Sequence, residues 1–176
     1  LSVPADGIAQ QDPADIILQY HEETKHHYYR FARSMGYLDW DNQPNPFRRF
    51  EGSPLRVLPL LPISESLSYS ALFNPQNVSP EPVDINTISR FFRHSLAISA
   101  WKRQLDAHWS LRVNPSSGNL HPTEGYLILP KSISEFDGGV YHYAPREHAL
   151  EQRAKFNLNF DENIFFVGLS SIHWRE

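Results

Sequence analysis

A long segment without regular periodicity, residues 37 to 82, constrains the fold of this chain more than any other feature. It contains eight of the chain's 14 prolines and many of its aromatic residues. Proline removes a backbone donor and interrupts both helices and strand ladders, whereas the high apolar content argues against disorder. We therefore expect this segment to wrap over another surface as an ordered, extended arm.

Helix signals precede this arm. Asp12 and Pro13 provide an N-cap and a first-turn proline, and apolar residues then recur at helical spacing as far as Gly36, which has the character of a C′ residue. These signals predict a helix over residues 13 to 35.

A second helix and several strands are predicted after the arm. Asp84 or Asn86 would cap a helix over residues 85 to 102, whose apolar positions again fall at helical spacing. The loop over residues 114 to 122 separates this helix from the first strand. Strands are predicted at residues 125–129, 139–144 and 163–170.

Composition excludes several classes of function. A chain of 176 residues with 40% hydrophobic content can form one domain with a core, and a net charge of −4 provides no basic surface for nucleic acid. Without cysteine there is no disulfide, thiolate metal site or cysteine nucleophile. No apolar run approaches the roughly 20 residues of a membrane span, and the first residues lack the basic start and apolar stretch that are typical of a signal peptide. We expect a cytoplasmic protein that binds neither membrane nor nucleic acid.

Both ends of the sequence suggest a part of a longer chain. The sequence begins at Leu1 rather than Met, and it stops at Glu176 shortly after an apolar stretch, residues 164 to 169, that is typical of a buried strand. The alternative is a processed N-terminus and a short docked tail. We expect a truncated chain.

Several familiar catalytic motifs are absent. The run from His21 to His26 is similar to the zinc motif HExxH, but histidines five residues apart lie about 140° apart on a helix and do not share a face. No metal site is expected there. No Walker A sequence, GxGxxG pattern or GxSxG elbow occurs either, so the sequence indicates no P-loop, Rossmann or serine-hydrolase site.

The sequence LRVNPSSGNLHPTE, residues 111 to 124, has the composition of a ligand-binding loop. Small residues around Gly118 allow backbone N–H groups to approach a ligand, and Ser116, Ser117 and Asn119 offer side-chain donors. Arg112 adds a permanent charge suited to a phosphate. The same residues are also typical of an ordinary turn, so composition alone leaves both interpretations open.

The stretch RVNPSSGNLHPTEGYLIL resembles the flavin loop of the FMN-dependent nitroreductase superfamily. The resemblance is to the branch that includes the dehydrogenase or oxidase subunits of thiazole- and oxazole-forming peptide synthetases. Three further stretches, YHEETKHHYYRFARSMGYLDWDNQPNPFRRFEG, GVYHYAPREHALEQR and FFVGLSSIHWRE, resemble segments of large bacterial nitroreductase-like proteins, which are often built as tandem domains. These matches run in order from Tyr20 to the last residue.

The resemblance implies an α+β fold with a mainly antiparallel sheet flanked by helices, formed only in part by this chain. Residues 1–82 would be an N-terminal helix and the arm, and residues 83–176 the front part of an FMN domain. A homodimer partner or a second nitroreductase-like domain would enclose the flavin. The implied activity is hydride transfer through flavin N5, from a small-molecule donor such as NAD(P)H to an acceptor.

The resemblance also implies a set of FMN-binding residues. In the family an Arg-x-Ser-x-basic pattern on an early helix binds the phosphate and the flavin ring. Arg93 and Ser95 match this pattern, but Ala97 stands in place of the basic residue, for which Lys102 or a residue outside this sequence would substitute. The predicted FMN-binding residues are Arg93, Ser95, Arg112, Pro115, Ser116, Ser117, Gly118 and Asn119. No catalytic acid or base and no metal ligand is assigned.

Two other functions stay open. Ala97 and the aromatic arm favour a degenerate, noncatalytic nitroreductase-like half that supports a catalytic partner or binds a peptide. An unrelated α+β binding domain is the third alternative, if the loop match is accidental. Flavin colour in the purified protein separates the enzyme from the other two.

Overall fold

The computed structural model describes residues 12–33, 36–37, 39–62, 68–133, 136–158 and 164–175. It divides the chain into two units, Leu1–Trp40 and Asp41–Glu176. The helices and strands are, in chain order, α1 (Pro13–Thr24), β1 (Leu55–Val57), α2 (Ile85–Ser95), β2 (Ile98–Gln104), β3 (Ala107–Arg112), β4 (Thr123–Leu129), β5 (Gly139–Ala144), β6 (Ala149–Lys155) and β7 (Phe166–Ser171). Within the described residues, no helix has the length and apolar character needed to cross a membrane.

Helix α1 begins where the sequence predicts and ends early. Asp12 Oδ1 accepts a hydrogen bond from Ala14 N at 2.9 Å, and Pro13 occupies the first turn. The prediction that the helix continues to residue 35 is wrong, because it ends at Thr24. Every side chain of α1 is exposed, so no packing surface extends the helix beyond what local signals support.

Side chains replace the helical hydrogen bonds after α1. Lys25 adopts an extended conformation, and His27 Nε2 and the Arg30 guanidinium both bond to the carbonyl of Glu22. That carbonyl is therefore satisfied without a further helical turn. Residues 34 and 35, at the end of the predicted helix, lie outside the described residues.

Helix α2 is capped by Asp84, whose Oδ1 accepts from Thr87 N at 2.8 Å. Its buried side chains are Ile88, Ser89 and Phe92, which form one face at helical spacing. The prediction that this helix continues to residue 102 is wrong, because α2 ends at Ser95.

Residues 98 to 112 form a β-hairpin instead of helix. Strands β2 and β3 pair as a separate two-stranded antiparallel sheet, with Trp101 opposite Ser110. In the turn between them Leu105 has φ +51°. Ile98 and Ala100 are half-buried while their neighbours on β2 are exposed, which is the two-residue period of a strand. In the sequence, Leu96 and Ala100 continue the four-residue apolar spacing of α2, so this spacing predicted helix where the structure has a strand.

The other five strands form one antiparallel sheet in the order β1-β6-β5-β4-β7. The strands predicted at residues 125–129 and 139–144 are confirmed, and β4 begins two residues earlier. The strand predicted at 163–170 begins at Phe166, and residue 163 lies outside the described residues. Strand β1 comes from the predicted arm, which thus contributes an edge strand. The predicted α+β class with a mainly antiparallel sheet is confirmed; the division at residue 82 stays a prediction.

The core lies between α2 and this sheet. Phe92 stacks on Tyr143 of β5, with ring centroids 4.4 Å apart. Gly125 allows the end of α2 to approach β4 closely, because a Cβ atom at this position would lie 2.3 Å from Leu96 Cδ1. The glycine predicted to belong to a strand is therefore needed for packing.

Candidate functional site

The predicted loop turns between β3 and β4 through a short 3₁₀ segment, Ser117–Asn119. Gly118 has φ +60°, a left-handed conformation that glycine adopts at little cost, and Asn119 follows with φ +55°. Ser117 and Gly118 are exposed. The turn therefore presents the hydroxyl of Ser117 and the side-chain-free backbone of Gly118 to the surface.

Hydrogen bonds hold this loop from within. Ser116 Oγ accepts from His121 N at 2.8 Å, and Asn119 Nδ2 donates to the Ser110 carbonyl at 3.0 Å. The side chains of Ser116 and Asn119, both predicted to contact a ligand, are thus committed to the loop's own conformation.

Arg112 points into the protein. Only 7% of the residue is exposed, and its guanidinium donates to the Pro46 carbonyl and lies 5.9 Å from the centre of the Phe47 ring. Burial lowers the pKa of Arg112, and the nearby Glu124 carboxylate opposes this effect. The charge predicted to meet a phosphate therefore faces the interior, where it holds the arm.

Unpaired polar atoms lie beneath the loop. Arg112 Nε, Asn114 Oδ1 and both ring nitrogens of His121 are buried without a hydrogen bond of ordinary geometry among the described residues. Burial and the nearby charge of Arg112 lower the pKa of His121. The Ser110 carbonyl acts in the opposite direction, but its effect is smaller. Because buried polar groups are nearly always paired with protein, water or ligand, these atoms retain unused hydrogen-bonding capacity.

Arg93 lines a groove of about 320 Å³, which we call the Arg93 groove. Ala97, Trp101 and Arg146 also line it, and none of its described lining residues is a carboxylate. The Arg93 guanidinium donates to the Leu61 carbonyl. Among its described lining residues the groove therefore has two arginines and no carboxylate.

Ser95 does not share this groove. It lines a separate depression with Arg90, Phe91 and His94, and its Oγ donates to the Phe91 carbonyl of its own helix at 2.6 Å. The structure thus separates the two members of the predicted Arg-x-Ser pair.

One backbone contact connects the end of α2 with the loop. Val113 N donates to the Ala97 carbonyl at 2.9 Å, so the segment that begins the loop is attached beside the Arg93 groove. None of residues 112 to 119 is itself among the described lining residues of the groove.

A buried cluster that the sequence analysis did not identify crosses the sheet. His142 of β5 contacts Glu124 of β4 through Nε2 at 2.7 Å and Glu151 of β6 through Nδ1 at 2.8 Å. All three side chains are essentially inaccessible. The one sequence signal was the occurrence of ionisable residues at inward positions of apolar strands, which is rare without partners.

Two arginines complete this buried cluster. Arg49 Nε contacts Glu151 at 2.7 Å, and Arg175 Nη1 contacts Glu124 at 3.3 Å. Both arginines line a second groove of about 610 Å³. Burial acts to raise the pKa of Glu151, but hydrogen bonds from Arg49, His142 and the Phe50 backbone hold it below its ordinary value.

A second buried chain of hydrogen bonds lies beside the Arg93 groove. Tyr143 OH lies 2.8 Å from His148 Nδ1, His148 Nε2 lies 2.9 Å from Ser89 Oγ, and Ser89 donates to the Pro59 carbonyl at 2.5 Å. Burial, followed by the charge of Arg93, lowers the pKa of His148. Burial also raises the pKa of Tyr143, so both rings favour their neutral forms.

Comparison with known proteins identifies a related fold. No protein-family profile and no curated protein matches the sequence. Among solved structures, a protein from Anabaena variabilis described as a nitroreductase aligns over 81% of this chain, with 25% identity and a TM-score of 0.56. The alignment covers 26% of that protein, so the chain spans about a quarter of its length.

A second solved structure aligns less closely. It is a chain of the Escherichia coli microcin synthetase McbBCD complex with truncated pro-MccB17 bound, with 19% identity and a TM-score of 0.40 over 94% of this chain and 69% of that one. The likeness to the Anabaena structure agrees with the α+β class and the mainly antiparallel sheet described above. The chain has a nitroreductase-like α+β fold.

Proposed function

We propose that this chain forms part of the FMN site of a nitroreductase-type oxidoreductase. The observation that carries the proposal is the loop between β3 and β4. It presents Ser117 and the left-handed Gly118 to the surface, and buried polar atoms of Arg112, Asn114 and His121 make no hydrogen bond of ordinary geometry with the described residues. An exposed, preorganised turn with such polar groups suits a ligand with several oxygen atoms.

The residues present fit a flavin mononucleotide at its phosphate and ribityl ends. When bound, FMN supplies hydride transfer at N5 between a nicotinamide or other small-molecule donor and an acceptor. Gly118 would let the backbone come close, the Ser117 hydroxyl would donate, and Arg93 would attract the phosphate. Arg112 would act from beneath, by holding Pro46 and Phe47 of the arm against the loop.

This chain offers fewer contacts to the ring of the flavin than to its phosphate and ribityl ends. Ala97 carries no positive charge for the ring, and Ser95 faces a different depression. We propose that a homodimer partner or a second nitroreductase-like domain supplies the remaining contacts.

The proposal is tested first by flavin binding in the full-length protein. We expect a yellow protein whose flavin is bleached by NADH or NADPH. Gly118→Val should weaken FMN binding more than about tenfold, because the branched side chain resists positive φ and blocks the close approach. Gly52→Val is the matched control, since Gly52 also has positive φ (+78°) and a Cβ added there would meet no atom within 4 Å.

The comparison of these two variants decides whether the loop binds the flavin. Both variants should lose some thermal stability from the same backbone strain. If both retain the FMN affinity of the parent, the loop is only a turn and the site assignment is wrong.

A noncatalytic, degenerate half is the second candidate. It is favoured by Ala97 at the position of a basic residue and by the inward orientation of Arg112. A colourless full-length protein that also fails to bind added FMN would support this function over the oxidoreductase.

A further inference from the structure

We infer that Arg146 is the second cation of the Arg93 groove and that the two guanidinium groups together bind a phosphomonoester dianion. This inference rests on the proposed function in one respect: the FMN phosphate is the expected source of the dianion. It adds a residue for which no sequence pattern provided a role.

The two arginines reach the groove from different elements. Arg93 projects from α2, and Arg146 lies in the four-residue turn between β5 and β6. The turn is anchored by His148, which has φ +47° and whose carbonyl accepts from Leu58 N at 2.8 Å. The buried bonds of His148 to Ser89 and Tyr143 fix it further. Arg146 is therefore presented from a rigid support.

The positive charge in the groove is not neutralised by the described residues. Arg93 donates to a carbonyl, and the Arg146 guanidinium lies over the ring of Phe47, 5.5 Å from its centre. The neighbouring Glu147 pairs through Oε1 with Arg49 at 2.9 Å, and it is not among the described lining residues of the groove. Two positively charged residues that line one groove, with no carboxylate among its described lining residues, favour the binding of a dianion there. Guanidinium groups match phosphate oxygens with paired donors.

The groove also has space and a wall for such a ligand. Ala97 is buried and short, so it leaves open the volume that a long side chain would fill. Trp101 is 46% exposed and provides an apolar wall beside the two cations. A volume of about 320 Å³ lies at the lower end of the range of small-molecule sites, which suits the phosphate end of a ligand rather than a whole dinucleotide.

The test compares Arg146→Gln with Arg103→Gln in the full-length protein. Arg103 is the matched control, because it is exposed in the β2–β3 hairpin and donates to the Leu105 carbonyl of its own turn. Calorimetric titrations would use FMN, riboflavin, which lacks the phosphate, and inorganic phosphate. We expect Arg146→Gln to lower FMN affinity by about ten- to hundredfold, with riboflavin affinity unchanged. Inorganic phosphate should bind the parent and Arg103→Gln but not Arg146→Gln.

The outcomes separate this inference from the proposed function. If the parent binds FMN and Arg146→Gln binds it equally well, the inference is overturned and the oxidoreductase stands. If the parent binds no flavin but binds inorganic phosphate in an Arg146-dependent manner, the groove is a phosphate site for another phosphomonoester and the proposed function fails. If phosphate binding is absent or does not depend on Arg146, the two-arginine site is wrong.

Discussion

At the scale of single residues, the direction of a buried hydrogen-bond chain follows from its end point. The Pro59 carbonyl can only accept, so Ser89 uses its single proton there. Ser89 Oγ must then accept from His148 Nε2, which leaves Nδ1 to accept from Tyr143 OH. The neutral ring with its proton on Nε2 satisfies every member. This series of hydrogen bonds fixes His148, which lines the Arg93 groove.

Removing the Ser89 hydroxyl from this series of hydrogen bonds should therefore lower the free energy of unfolding. Ser89→Ala leaves His148 Nε2 and the Pro59 carbonyl buried without a partner, and we expect a loss of about 1–3 kcal/mol in the free energy of unfolding. Ser95→Ala on the same helix should change it by less than about 0.5 kcal/mol, because Ser95 bonds only to its own helix. Urea denaturation of both variants measures the difference. Equal effects would show that the buried chain is energetically unimportant.

At the scale of elements, two glycines show how closely the backbone segments approach each other. At Gly139 of β5 an added Cβ would lie 2.1 Å from the Ala154 carbonyl oxygen of β6. At Gly125 of β4 the nearest atom, 2.3 Å away, is instead the end of the Leu96 side chain. A side chain can rotate away, but a paired backbone carbonyl cannot move without opening the ladder.

The two alanine variants should therefore differ. We expect Gly139→Ala to destabilise the protein by about 3 kcal/mol or more, at the upper end of overpacking costs, and Gly125→Ala by about 1 kcal/mol. Thermal and urea unfolding of both variants provide the measurement. A Gly139→Ala protein as stable as Gly125→Ala would mean that β5 and β6 can separate there at little cost.

At the scale of the whole molecule, buried charges connect segments that are far apart in the sequence. Glu151 accepts from Arg49 and from the backbone of Phe50, about a hundred residues earlier. Arg175 donates to Glu124 and also to the carbonyls of Pro44 and Asn45. The network thus attaches both the arm and the segment after β7 to the middle of the sheet. Removing any one charged side chain of this network leaves its partner buried without an opposite charge.

The pH dependence of stability should report this network. The pKa of Glu151 lies below its ordinary value of 4.5, so the native state binds this proton less readily than the unfolded state. The stability contributed by Glu151 is complete above that ordinary value and is lost as the pH falls through the lower native pKa. Glu151→Gln should cost about 3 kcal/mol near neutral pH, and the difference from the parent should shrink below about pH 4.5.

Urea unfolding of the parent and the variant at several pH values tests this expectation. Glu81→Gln is the control, because its ion pair with Arg90 is long and exposed and should contribute less than about 1 kcal/mol. A constant difference between parent and Glu151→Gln across the acid range would exclude Glu151 as a source of the pH dependence.

Local signals in the sequence determined the features that depend on neighbouring residues. Asp12 with Pro13 and Asp84 with Thr87 set both helix starts, because a cap is satisfied within one turn. Short runs of strand-forming residues between turn signals located β4 and β5. The glycine-containing loop was located from its own composition, and its left-handed Gly118 agrees with the residue type.

Features that depend on distant partners were decided only by the tertiary structure. Helix α2 gives way to a hairpin because residues 98–104 find their partners at 107–112, and β1 forms because β6 provides an edge for part of the arm. Arg112 turns inward to the Pro46 carbonyl, 66 residues away, and Arg146 joins Arg93 in one groove. The sequence determined which residues could carry charge or cap a helix. Only the folded chain decided which of those charges meet, because pairing depends on burial and on contacts between segments that local sequence does not specify.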